Sequence, residues 1–198
     1  AVNIESRAFA AMATALFGIG LVSQPMVRDT LQASMLTHTF LLVFGVTAMG
    51  YLAAFSMAML YSGSGKNFPE LNALGLGSWL FVLFSLMFWM LPATMDQAVE
   101  SSAMSWARNM NLLLAGAMLR ISLKKAHPFL SVFFAWNLIT MLFIQGLLYL
   151  NLPERICNAY LLGDQENTAK AMILLASIAG LLLIAKAYGQ ATTNIKAR

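Results

Sequence analysis

Residues 31–60 read LQASMLTHTFLLVFGVTAMGYLAAFSMAML, thirty positions without a Lys, Arg, Asp or Glu. A helix needs about 20 apolar residues to cross the roughly 30 Å hydrocarbon core of a bilayer. At about 1.5 Å per residue this run would be ~45 Å long. A helix here must therefore tilt, kink near Gly45 or Gly50, or project beyond the lipid. Five further apolar runs flank it, at about 8–24, 74–91, 103–123, 128–150 and 169–188. Between them lie short polar stretches: Pro25 with Arg28 and Asp29, the glycine- and serine-rich 62–67, and 93–102, ATMDQAVESS. The reading is an all-α fold, a polytopic membrane bundle of about six transmembrane helices forming a single transmembrane domain over 1–198.

Composition excludes most other classes. Hydrophobic residues make up 60% of the chain and charged ones 10%, against about a quarter charged in soluble domains. The net charge of +4 is spread over span ends and is not interleaved with aromatics, so nucleic acid is not an expected partner. One cysteine, Cys157, rules out an internal disulfide and any two-cysteine metal spacing. The first residues, Ala1-Val2-Asn3-Ile4-Glu5, lack the basic start of a secretory signal. No nucleophile elbow, phosphate loop or metalloprotease motif occurs, so the chain reads as a non-enzyme.

Lys and Arg set the expected orientation. Arg7, Lys66, Arg120, Lys124, Lys125, Lys186, Lys196 and Arg198 fall on one side of a six-span topology, and Arg28, Arg108, Arg155 and Lys170 on the other. Eight against four favours both termini in the cytoplasm. The outer side then carries Asp29, Asp96, Glu100, Glu154, Asp164 and Glu166.

Polar residues gather at that side in three sets. Ser34 and His38 lie one helical turn apart at the start of the second run. Asp96 is followed by Ser105, Arg108 and Asn109 at the start of the fourth, and Asp164-Gln165 precedes the sixth. A buried Arg is costly and normally has a partner; Asp96, Glu100 and Asp164 are candidates. A lone histidine at a span end is more often a hydrogen-bonded residue than a metal ligand. Fourteen methionines are soft potential Cu(I) ligands but more often packing residues. His38, Met35 and Met104 are the weak metal candidates that remain.

These segments resemble the CtaG-like family, which assists copper-site assembly in cytochrome c oxidase. The family has a His-x-x-x-His opening one span, where Ser34-Met35-Leu36-Thr37-His38 stands here. A Leu-Pro with an Asp shortly after it corresponds to Leu91-Pro92 and Asp96. A second His-x-x-x-His before a Leu-rich, Ala-Gly span corresponds to Ser105 to Asn109 and then Leu112-Leu113-Leu114-Ala115-Gly116. An Asp-Gln before a span rich in small residues corresponds to Asp164-Gln165. The resemblance covers 31–185. Of the four histidines it implies, only His38 is present; Ser34, Ser105 and Asn109 occupy the other places, and hydroxyls and amides bind Cu(I) poorly. The resemblance thus implies a non-catalytic accessory or assembly subunit of a respiratory complex, a haem–copper oxidase, with lipids and other subunits as partners. The alternatives are copper(I) delivery through His38, Met35 and Met104, and a quinone- or lipid-binding subunit with a site near Trp106, Arg108 and Asn109.

Overall fold

The computed structural model describes residues 24–60, 74–152 and 154–196, together with positions 9, 12, 13, 18 and 20. The first apolar run, at 8–24, and the 62–67 turn lie largely or wholly outside the described residues. The fold is all-helical, with no strand among the described residues. The helices are α1 (Pro25–Gln32), α2 (Met35–Thr37), a π-helical segment (His38–Phe44), α3 (Gly45–Leu60), α4 (Leu76–Trp89), α5 (Pro92–Glu100), α6 (Ser102–Lys125), α7 (Pro128–Asn151) and α8 (Leu162–Lys196).

Three helices are long and apolar enough to cross a membrane: Met35–Ala58, Pro128–Asn151 and Leu162–Gly189. The pair α4 and α5, bent by 71° between them, would make a fourth if it is one broken span. Their outer faces expose Phe84, Ile144, Leu148, Leu174 and Leu181. Water would penalise such surface, whereas acyl chains do not.

Local sequence explains most helix ends. Proline occupies the first helical position of α1, α5 and α7, where its missing N–H costs nothing and its φ suits the helix. This is why 92–100, a polar connection by composition, folds as a helix: Pro92 starts it and Ala93, Met95, Gln97 and Ala98 sustain it. Ser101 caps α6 by accepting from the Met104 N–H at 3.5 Å, and His127 Nδ1 caps α7 by accepting from Phe129 N–H at 3.3 Å. Lys124 and Lys125 close α6, opposite the negative end of its dipole. The second apolar run does not kink at a glycine. It widens into π-helical turns over 38–44 and returns to α at Gly45. Such insertions are uncommon and cluster at functional sites.

The described chain divides into two compact units. The first holds α1 to α6 and the short segment Cys157–Tyr160. Its centre is the crossing of α3 and α6, where glycines let the two backbones touch. A methyl group on Gly50 would sit within 2.8 Å of the Leu113 carbonyl carbon, and one on Gly116 within 2.7 Å of Tyr51 N. Small residues at a helix crossing give this close approach in apolar surroundings. Around it pack Leu42, Val43, Val46, Leu112 and Ala115, all essentially inaccessible. Gly75 enters α4 with φ +71°, its Cα side close against Ser122; a side chain would be strained there.

The second unit comprises 127–156 and 161–198. Its two helices meet along matching stripes: Leu142, Gly146 and Tyr149 on α7, and Ala169, Met172 and Ala176 on α8. Gly146 faces the Ala169 carbonyl, 3.0 Å from where a Cβ would be.

The glycine crossing makes a direct prediction. Gly116→Ala should lower thermal stability in detergent by about 1–3 kcal/mol, because a backbone rather than a side-chain tip must move. Gly163→Ala, where a Cβ meets nothing within 4 Å, should be neutral or stabilising by up to ~1 kcal/mol. Scanning fluorimetry of the two purified variants checks this.

Candidate functional site

On α6 the buried residues Ser105, Arg108, Asn109, Leu112, Ala115 and Gly116 fall at helical spacing on one face. The apolar half of that stripe makes the α3 crossing. The polar half lies nearer the N-terminal end of α6 and meets His38 at the start of the π segment. Arg108 and His38 are both 0% exposed.

The guanidinium is held by neutral acceptors. Arg108 Nη1 donates to His38 Nε2 at 2.7 Å. Nη2 donates to Ser105 Oγ at 3.1 Å, and Nε and Nη2 both donate to Asn109 Oδ1 at 3.2 Å. Ser105 Oγ also accepts from Gln32 Nε2 at 3.4 Å, and Gln32 reaches the Ala98 carbonyl at 3.2 Å. Guanidinium can only donate, so His38 Nε2 must be the unprotonated nitrogen. Nδ1 then carries the proton and donates to Tyr160 Oη. The Tyr160 ring stands edge-on to the imidazole, centroids 6.0 Å apart.

Among the described residues of its own unit, no carboxylate pairs with Arg108. Asp96 instead binds backbone. Its two oxygens accept from Asn158 N–H at 2.8 Å and Ala159 N–H at 3.1 Å. The carboxylate thereby clamps the segment that carries Tyr160. Cys157 in the same segment is buried beside the Pro92 carbonyl. Burial, with the Asp96 carboxylate adding to it, pushes its thiol up to about 12.

The structure thus brings together four of the expected residues, His38, Ser105, Arg108 and Asn109, and adds Gln32 and Tyr160. Ser34 caps α2 by accepting from Leu36 N–H at 3.3 Å. Asp164 and Gln165 belong to the second unit. There Asp164 lies in the first turn of α8, and Gln165 ties the α7–α8 connection by donating to Tyr149 O and accepting from Ile156 N–H, both at 3.0 Å. Met35 is fully buried and Met104 half-buried. Trp106 is half-exposed, whereas Arg108 and Asn109 are buried, so these three do not present one surface. Among the described residues no three of His, Cys, Asp and Glu converge as a metal-binding group. Both imidazole nitrogens are engaged, so a metal at His38 would first have to displace Arg108 or Tyr160.

Tyr160 is 122 positions from His38, in a segment with no periodicity to mark it, and no local signal identifies it. Gln32 ends the short α1 and is equally silent. No family model, curated protein or solved structure matches the chain.

Two predictions test the network. His38→Ala strands a buried cation without its acceptor and should cost about 3–5 kcal/mol. Arg108→Met removes the charge itself, leaves only neutral groups, and should cost less, about 1–3 kcal/mol. Thermal unfolding in detergent ranks the two. For the clamp, wild-type Cys157 should resist maleimide at pH 7–8, and Asp96→Ala should raise its labelling rate at least ~10-fold by freeing the segment. The raised thiol pKa adds a pH signature: its stabilisation is complete below about 9 and is lost as pH climbs towards about 12.

Proposed function

We propose that this protein is a non-catalytic, multi-pass membrane subunit that acts by binding other subunits of a respiratory membrane complex, a haem–copper oxidase. In this reading six spans cross a prokaryotic inner membrane with both termini cytoplasmic. They are the first apolar run, Met35–Ala58, the bent α4–α5 pair, α6, α7 and α8. At 24 residues α6 is ~36 Å long, enough to span, and it turns Ser105, Arg108 and Asn109 inward.

The observation that carries the proposal is what fills the histidine frame. Where the resembled family would hold metal, this chain holds a hydrogen-bonded cation. Arg108 Nη1 occupies the Nε2 lone pair of His38 at 2.7 Å, and a positive charge at that distance repels a second one. The positions that would carry the other three histidines hold Ser34, Ser105 and Asn109, and His38, Ser105 and Asn109 are spent on Arg108. Side chains committed to one another in this way support interaction over metal chemistry.

Affinity purification from native membranes in mild detergent tests this. Oxidase subunits should co-migrate with the protein in near-stoichiometric amount, and metal analysis should find no copper that depends on His38. A protein that runs alone would defeat the proposal. Stoichiometric copper that disappears in His38→Ala would replace it with copper(I) delivery.

A further inference from the structure

A second feature of the first unit lies apart from the Arg108 network. Phe81, Phe84, Ser85 and Phe88 fall at positions i, i+3, i+4 and i+7 of α4 and so share one face. With Met87 and Asn111 they line a groove of about 340 Å³. That is within the range of small-ligand sites, which pair apolar walls with a few fixed polar groups. Phe84, Met87 and Phe88 are exposed, at 58%, 43% and 46%, so the groove opens on the face that α4 would turn to lipid.

The polar group in it has a defined orientation. Trp89 Nε1–H donates to Asn111 Oδ1 at 3.0 Å. The indole can only donate, so the carboxamide oxygen must face Trp89, and the amide Nδ2 is the group offered to the groove. No described residue accepts from it, and the Ser85 hydroxyl in the same groove has no partner among the described residues either. Acyl chains have no acceptor for these donors, and leaving them unsatisfied in hydrocarbon is unfavourable. Aromatic walls favour a flat apolar body through offset or edge contacts.

We propose that this groove binds a carbonyl-bearing, lipid-soluble molecule, its carbonyl oxygen accepting from Asn111 Nδ2 and its apolar body lying between Phe81, Phe84 and Phe88. Two sources offer that chemistry, a prenylated quinone ring and the ester of a glycerolipid. The inference rests on the chain lying in a bilayer and is independent of which complex it joins.

Photolabelling of the full-length protein in lipid nanodiscs tests it, using a diazirine short-chain quinone and a diazirine glycerolipid, with labelled positions mapped by mass spectrometry. Labelling should concentrate on 81–91 and 111 and fall about tenfold in Asn111→Leu, the loss expected for one fixed hydrogen bond in an apolar site. Phe84→Ala should reduce it as well; Phe84 is exposed, so this variant keeps the test valid if Asn111→Leu fails to fold. Competition by unlabelled quinone, without competition by added phospholipid, identifies the quinone as the source; the converse identifies the lipid. Labelling spread evenly over the exposed helix faces, or undiminished in both variants, would overturn the proposal. So would cross-links showing the groove covered by another polypeptide. Because the readout is position-specific labelling, it can fail while oxidase subunits still copurify, and the reverse.

Discussion

A buried guanidinium whose partners among the described residues are all neutral has to be solvated by dipoles, and that requirement organises one end of the first unit. Arg108 draws on Asn109, Ser105 and His38, so α6 and the π segment must meet at it, and Gln32 of α1 joins at one remove by donating to Ser105 Oγ. Loss of a buried cation's acceptor costs several kcal/mol, an amount comparable with much of a domain's net stability. The π turns over 38–44 fall where His38 has to meet Arg108 on one side and Tyr160 on the other. The Asp96 clamp continues the chain of dependence, since it fixes the segment from which Tyr160 reaches the imidazole.

The same face of α6 does two physical jobs. Towards its N-terminal end it binds charge; further along, Leu112, Ala115 and Gly116 supply a surface so small that α3 can lie backbone to backbone against it. Neither job alone would pin the helix. Close packing sets the distance between α3 and α6, and the directional hydrogen bonds of Arg108 set their register. The apolar character of α6 is diluted by this inward polar stripe, which explains why it is long enough to span but does not meet the apolarity of its neighbours.

How much of this is legible in the sequence varies with the kind of signal. The long apolar runs stand out by composition, and three of them form helices fit to cross a membrane. His38, Ser105, Arg108 and Asn109 stand out because charge and amide are rare in such runs and recur at helical spacing. Tyr160 does not, because a contact across 122 positions leaves no trace in a single sequence. Asp96 is conspicuous as a polar residue, but composition suggests it as a partner for Arg108; its backbone-clamping role depends on a loop conformation that composition does not encode. The π turns over 38–44 are not among the readings of the long second run, which are tilt, a kink near Gly45 or Gly50, or projection beyond the lipid, since an i→i+5 pattern has no residue signature. The 93–102 stretch reads as a connection because its polar residues outweigh the helix-starting Pro92.

The central claim is that His38 is a neutral imidazole locked between a cation and a phenol, with no nitrogen left for a metal. Nitrogen-15 NMR of the histidine-labelled protein in detergent, with His38 assigned by substitution, measures this directly. The account predicts one protonated nitrogen, Nδ1, and one unprotonated, Nε2, unchanged by added Cu(I). Protonation at Nε2, a doubly protonated ring, or a copper-induced shift of either nitrogen would contradict it.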